Sequence, residues 1–463
     1  MKRLIFFVFA LLFSFGLPAQ NLPGYWEGKL NVGTELRIGF NITTAQNSFS
    51  VTLDSPDQGI TGVEADLVRS DDDSLVIAIK SIQGTYRGKV SWSDSTVTGS
   101  WIQRGFPFPM VLRKTNSPAV LPRPQTPKAP FPYTVKEIEF KSVKDTHSLS
   151  GTLTIPENGK PGAAVIMITG SGPQDRDETL MGHKPFLVIA DYLSRNGIAV
   201  LRYDDRGIGK SGGNFATSTI YDFADDVRGA IRYLKSQPGI DSTKIGLLGH
   251  SEGSMVSQVV CAGDPSVAFF VSLAGPGEAC RFLLYRQLVD VYRVNGISDE
   301  ASLKKYSQYI ESFYDIIIKY GVSEETRNEI RKHVAASAPM FTVLERQIYN
   351  VDTAGVEGML KYFVSDWFVN FIRFEPEPYL KKITCPVLAV NGSTDIQVAA
   401  APNLEGFRKN CSKKILTVKE YPGLNHLFQH SVNGNPNLYG KIEETISEEV
   451  LKDIKDWILK QTK

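Results

Sequence analysis

The sequence lacks an excess of charge of either sign. Its 51 Lys and Arg stand against 50 Asp and Glu, a formal net charge of +1 over 463 residues. That balance removes the electrostatic footprint of a nucleic-acid binder or of a protein held to an anionic membrane surface. Cysteine is scarce as well. Cys261, Cys280, Cys385 and Cys411 are the four present, and their spacing fits no zinc pattern. Four cysteines allow three disulfide pairings, and buried free thiols are the preferred reading. No cluster of metal ligands stands out, so neither a metal nor a cofactor is expected.

What is present begins with "MKRLIFFVFALLFSFGLPAQ". A basic start, a short apolar core and small residues near the end describe an export signal over residues 1–20. The apolar part is short for a membrane span, which needs about 20 residues. The remaining chain is expected to be exported, periplasmic or secreted, with no membrane span of its own.

Residues 21–115 read as an all-β domain. "TELRIGFNI", "SFSVTL", "SLVIAI", "TYRGKVSW" and "TVTGSWI" alternate polar and apolar residues. Turn residues separate them, as in an antiparallel barrel or sandwich. A proline-rich stretch follows, "SPAVLPRPQTPKAPFP". It reads as a stiff linker over 116–133. From 134 to 463 strand and helix alternate, the signature of an α/β doubly wound sheet. "GAAVIMITG", "IAVLRYDD", "KIGLLGH", "VAFFVSLAG" and "CPVLAVNG" are its strands. About a hundred residues of helical periodicity, 276–380, interrupt the alternation and read as a helical cap over the sheet's C-terminal edge.

Two segments match G-x-S-x-G, one around Ser211 and one around Ser251. Ser251 lies directly between an apolar strand and a helix, in "GHSEG". Gly249 and Gly253 let strand and helix approach there. Ser211 is followed by "NFATST", which is no helix start, and reads as a flexible loop. "GIGKSG" also fits G-x-G-x-x-G, but without the helix a dinucleotide site requires.

A serine nucleophile needs a base, and the base an orienting acid. Downstream of Ser251 lie His333, His426 and His430. His333 reads as a surface residue of the cap and His430 as incidental. His426, in "YPGLNHLFQH" after the last strand, is the candidate base. Asp395, in the loop after "VLAVNG", is the candidate acid. The oxyanion calls for two backbone N–H groups. Glu252, next to the serine, supplies one. Ser171, in "MITGSGPQDRD", is chosen for the other, with Gly172 next to it. The Glu252 side chain reads as a first-turn acid, or as a group that repels anions or captures an amine.

"GSGPQDRD", "LRYDDRGIGKS", "GHSEGS", "CPVLAVNGSTDIQV" and "GLNHLFQ" occur in that order. Through them residues 135–463 resemble the α/β-hydrolase superfamily, in particular exported esterases of the serine aminopeptidase-like (S33) group. The resemblance implies Ser251, Asp395 and His426 as a triad, a helical cap, and an N-terminal β domain of calycin-like character. It implies a structural role for "RYDDRG". The expected activity is hydrolysis of small to medium carboxylic esters through an acyl-enzyme, rising with pH through about 6–7 as a catalytic histidine loses its proton. The rivals are an aminopeptidase using the same triad, and an inactive binding protein. "DWFVNFIRF" reads as core, or as the lining of an acyl pocket.

Overall fold

The computed structural model describes residues 22–463 except 32–34, 46–47, 59, 71–73, 104–105, 117–120, 145 and 158–160. The export signal expected over 1–20 lies outside the described residues. The chain divides into two compact units, Met1–Val120 and Leu121–Lys463.

The first unit is a closed barrel. Its strands are β1 (Gly24–Asn31), β2 (Glu35–Ala45), β3 (Ser48–Ser55), β4 (Ile60–Ser70), β5 (Ser74–Ile79), β6 (Gly84–Ser91), β7 (Thr96–Gln103) and β8 (Phe106–Thr115). Each pairs with the next, and β8 returns to pair antiparallel with β1. Closure decides between the barrel and the sandwich that the alternation had left open, and it leaves no unpaired edge. In β5 every second residue, Leu75, Ile77 and Ile79, is fully buried. Trp26, Phe40, Tyr86 and Trp101 help fill the interior. The Trp26 indole N–H donates to the Leu22 carbonyl at 2.9 Å, the partner a buried indole needs.

The second unit opens with residues 121–132. This stretch does not behave as a free linker. The Arg123 guanidinium donates to the carbonyls of Ile442 at 2.7 Å and Gly440 at 2.8 Å. Gln125 donates to the Ile446 carbonyl and accepts from the Thr445 amide, at 2.7 and 2.6 Å. Prolines donate no backbone hydrogen bond, so the polar side chains between them anchor the segment.

A hairpin follows, β9 (Tyr133–Lys141) and β10 (Ser148–Pro156). Then come β11 (Ala163–Ile168), α1 (Pro185–Arg195), β12 (Ile198–Tyr203), α2 (Ile220–Lys235), β13 (Ile245–His250), α3 (Glu252–Gly263) and β14 (Phe270–Leu273). The cap comprises α4 (Cys280–Val294), α5 (Glu300–Tyr320), α6 (Glu324–Ser337), α7 (Val343–Tyr349), α8 (Thr353–Phe363), α9 (Asp366–Ile372) and α10 (Glu377–Leu380). The chain finishes with β15 (Val387–Gly392), α11 (Ala400–Asn410), β16 (Leu416–Tyr421) and α12 (Glu448–Gln461).

The sheet runs β16-β15-β14-β13-β11-β12-β10-β9. From β12 to β16 all neighbours are parallel. Every residue of β11, β12, β13 and β15 is buried, as expected of strands covered on both faces. Each fully buried Val, Leu or Ile contributes about 1.5–3 kcal/mol. Chain order reverses at β11, whose neighbours are β12 on one side and β13 on the other. Such a switch point opens a crevice beyond the strand ends.

The cap has a core of its own, including Tyr306, Tyr309, Phe313, Ile330, Val334 and Phe368. His333 is half-buried at the edge of this core, less exposed than the surface residue expected. Its ring stacks on Tyr309 at 5.0 Å and its Nε2 lies 3.0 Å from the Tyr309 carbonyl. It flanks the buried stripe of Ile330 and Val334 on α6, which faces α5. All four cysteines are free thiols.

Candidate active site

Ser251 joins β13 to α3 with φ 52° and ψ −117°. A serine in this conformation is strained by about 1–3 kcal/mol, and the packing around it holds the strain in place. A Cβ on Gly253 would stand 2.1 Å from the Ile168 carbonyl oxygen, and one on Gly249 would stand 2.2 Å from that of Gly253. Only glycine lets α3 press this closely against the ends of β11 and β13. The Ser251 amide donates to the Leu273 carbonyl of the next strand at 2.9 Å.

Ser211, the other G-x-S-x-G serine, sits in a locked loop and not a flexible one. It is 7% exposed. Its hydroxyl accepts from the Ser150 amide at 2.9 Å and donates to the Asp204 carbonyl at 2.7 Å. Helix α2 does start downstream, at Ile220 behind a Thr219–Asp222 capping box, but nine residues after Ser211, too far for a strand–serine–helix turn.

His426 projects from the loop after β16. Asn425 builds that loop by accepting from the amides of Leu427 and Gln429 at 3.0 and 2.9 Å. His426 Nδ1 lies 2.7 Å from Asp395 Oδ2. The other oxygen of Asp395 accepts from the amides of Gln397 and Val398 at 2.8 and 2.9 Å. Asp395 is 3% exposed, so its carboxyl is held on both oxygens with little access for water. His430, four residues on, is bonded to Glu444 at the surface.

Ser251, His426 and Ser171 line one cavity of about 260 Å³, beneath Leu283, Leu284, Tyr362, Trp367 and Phe371 of the cap. The "DWFVNFIRF" run divides between core and cavity. Phe368, Val369 and Ile372 enter the cap core, while Trp367 and Phe371 face the cavity. Gly170 brings the Ser171 loop close, since a Cβ there would lie 3.4 Å from Ser251 Cβ. Glu252 opens α3, so its amide is among those with no acceptor within the helix.

The "RYDDRG" residues brace that loop from the neighbouring strand. Asp204 takes both arms of the Arg176 guanidinium, at 2.9 and 2.7 Å. Asp205 accepts from the Gln174 amide and the Thr169 hydroxyl, both at 2.9 Å. Arg206 binds Asp226 of α2. The motif therefore shapes the loop after β11 as well as its own.

The Glu252 side chain is neither an exposed first-turn acid nor a group facing the main cavity. It is 3% exposed and accepts from the Trp367 indole at 2.8 Å. It borders a separate space of about 20 Å³ shared with Asp205 and Asp226. Burial pushes its carboxyl up to about 8, despite the Trp367 bond. Below the ordinary glutamate value the group is neutral in folded and unfolded chains alike. Between there and about 8 the unfolded chain releases the proton while the folded chain keeps it, so stability falls as pH rises through that window. Glu252→Gln keeps an acceptor for Trp367 and has no proton to lose. Its Tm is expected to gain on the wild type by several degrees between about pH 5 and pH 9. Asp205, raised to about 8 by its own burial, contributes a similar slope to both proteins. Parallel melting curves across that range would remove the buried neutral carboxyl.

Sequence reasoning did not find Glu178, His250, Gln174 or Gln287, which also line the cavity. His250 was in view inside "GHSEG" but carries no motif role. Glu178 has no local pattern around it that would flag it.

The serine aminopeptidase (S33) family matches residues 184–285. Esterase EstD of Thermotoga maritima is 24% identical over 314 residues, 68% of this chain and 66% of that protein, just under two thirds of its length. Among solved structures, an esterase of Pyrococcus furiosus, Pf2001, is 16% identical with a TM-score of 0.43, covering 74% of this chain and 100% of that one. Est1E of Butyrivibrio proteoclasticus, solved with ferulic acid bound, is 16% identical with a TM-score of 0.42, covering 70% and 98%.

Proposed function

We propose that this chain, similar to the serine aminopeptidase (S33) family over residues 184–285 and to an esterase, is a serine hydrolase of small to medium carboxylic esters, working without metal or cofactor. One observation carries the reading. A strained serine at a glycine-tight turn opens into the same cavity as a histidine whose far nitrogen is 2.7 Å from a buried aspartate. In this reading Ser251 attacks the ester carbonyl while His426 takes its proton. The amides of Glu252 and Ser171 receive the oxyanion. His426 returns the proton to the leaving alcohol, and water, activated by the same histidine, releases the acyl group. Asp395 keeps the Nδ1–H tautomer, so Nε2 is free to act as base.

The aminopeptidase alternative calls for an acid that captures the substrate amine. Glu252 faces a different space. Glu178 reaches the cavity, but its Oε1 is engaged by Gly170 and His250. Esters are therefore favoured over aminoacyl amides. The test is a series of p-nitrophenyl esters of graded acyl length, set beside aminoacyl amides, with fluorophosphonate labelling in parallel. Labelling of one site per chain with ester turnover is expected. Turnover of aminoacyl amides alone would support the peptidase, and no labelling would support a binding protein.

The cap sets the size limit. Leu284→Ala enlarges the cavity on its cap side and is expected to raise kcat/KM for octanoyl over acetyl esters by about 10-fold. An unchanged ratio would place the acyl chain elsewhere.

A further inference from the structure

His250, the residue before the nucleophile, is 7% exposed, and Glu178 is 4% exposed. His250 Nδ1 lies 2.9 Å from Glu178 Oε1, and Nε2 lies 3.0 Å from the main-chain carbonyl of His426. Glu178 Oε1 also accepts from the Gly170 amide at 2.7 Å. Both neighbours of the His250 ring are acceptors. A neutral imidazole donates from one nitrogen only, so satisfying both contacts needs a proton on each. Burial opposes that charge, and Glu178, the His426 carbonyl and Asp395 outweigh it, so the group titrates above the ordinary histidine value.

From this geometry we infer that Glu178 and His250 are positioning residues, a buried carboxylate–imidazolium pair that ties the His426 loop to the loop carrying Ser171. The pair touches two loops of the proposed machinery at once. Glu178 fixes Gly170, one residue before the oxyanion donor. His250 fixes the backbone of the base itself, and the two imidazole rings stand 4.8 Å apart. The His250 ring lies beside that of His426, whose Nδ1 contacts Asp395.

The inference rests on the proposed serine-hydrolase reading, and its test separates the two. In wild-type protein labelled with [15N]histidine, His250 is expected to show two ring N–H signals still present at a pH above the ordinary histidine range. Glu178→Gln places its amide oxygen where Oε1 accepts from both Gly170 and His250, so the contacts stay and only the carboxylate charge goes, and the second ring N–H signal is expected to disappear at lower pH than in the wild type. His250→Phe keeps a ring and removes both donors. It is expected to lower kcat per titrated active site by about 100-fold, with KM within about 3-fold. It leaves the Glu178 carboxylate buried without its partner. The double variant relieves that stranded carboxylate and should lose no more than His250→Phe alone, as groups acting as a unit do. A single ring N–H on wild-type His250 at that pH overturns the inference. So does a His250→Phe enzyme that merely melts lower while keeping wild-type kcat, or losses that add in the double variant. A wild-type protein that hydrolyses nothing would sink the hydrolase reading instead, and the ring N–H count would still decide the ion pair.

Discussion

Ser251→Ala is expected to cut ester kcat/KM by about five to six orders of magnitude and to abolish fluorophosphonate labelling, with the Tm little changed. The substitution removes a hydroxyl and leaves the backbone at φ 52° held by the same glycine contacts. Ser211→Ala is the natural control, because it alters the other serine of the same pattern. It should keep kcat/KM within about 3-fold and instead lower stability by about 1–3 kcal/mol, since the buried Ser150 amide loses its acceptor. The two serines thus carry opposite phenotypes. Loss of turnover on changing Ser211, with Ser251→Ala active, would overturn the assignment.

Asp395→Asn is expected to lower kcat by about 10³–10⁴-fold with KM nearly unchanged. The argument lies in the two backbone amides. Gln397 and Val398 donate to one oxygen of Asp395, and they demand an oxygen in any replacement. The asparagine NH₂ is then forced toward His426 Nδ1, where it donates. The ring responds by placing its proton on Nε2, the nitrogen that has to accept from Ser251. The base is present but in the wrong tautomer, so the fold and the cavity survive and the chemistry fails. Measured kcat together with the rate of fluorophosphonate labelling checks this. A loss of less than about 10-fold would mean that another acid orients His426.

The parallel sheet was legible because its strands are continuous apolar runs between glycines, and Ser251 because a strand and a helix flank it without a gap. Asp395 and His426 followed from chain order relative to those strands. The barrel was harder. Strands β1, β4 and β8 were not read from the sequence. In β4 the run "ITGVEADLVRS" is mostly exposed or half-buried and carries Gly62, which blurs the alternation. In β8, Pro107 and Pro109 argue against a strand. They fall before the Leu112–Thr115 stretch that pairs with β1, where their missing N–H groups cost little. The Glu178–His250 contact was invisible for a different reason. It joins residues 72 positions apart through a loop with no repeat and no motif, and only the switch in strand order brings them together. The anchoring of Arg123 and Gln125 was hidden in the same way, more than 300 residues from its acceptors.

The cap leaves the sheet after β14 and rejoins it at β15, and those two strands are neighbours. Its ends are therefore already side by side, and its core is built from its own aromatic residues. Closing a loop of that length costs only logarithmically more than closing a short one. The roof of the chamber is thus a cassette. Ser251, Asp395, His426 and Ser171 all stand on the floor, at the ends of β13, β15, β16 and β11. Over evolutionary time the roof is free to diverge, shorten or be exchanged while the floor stays fixed, so substrate range and catalytic competence can be inherited separately.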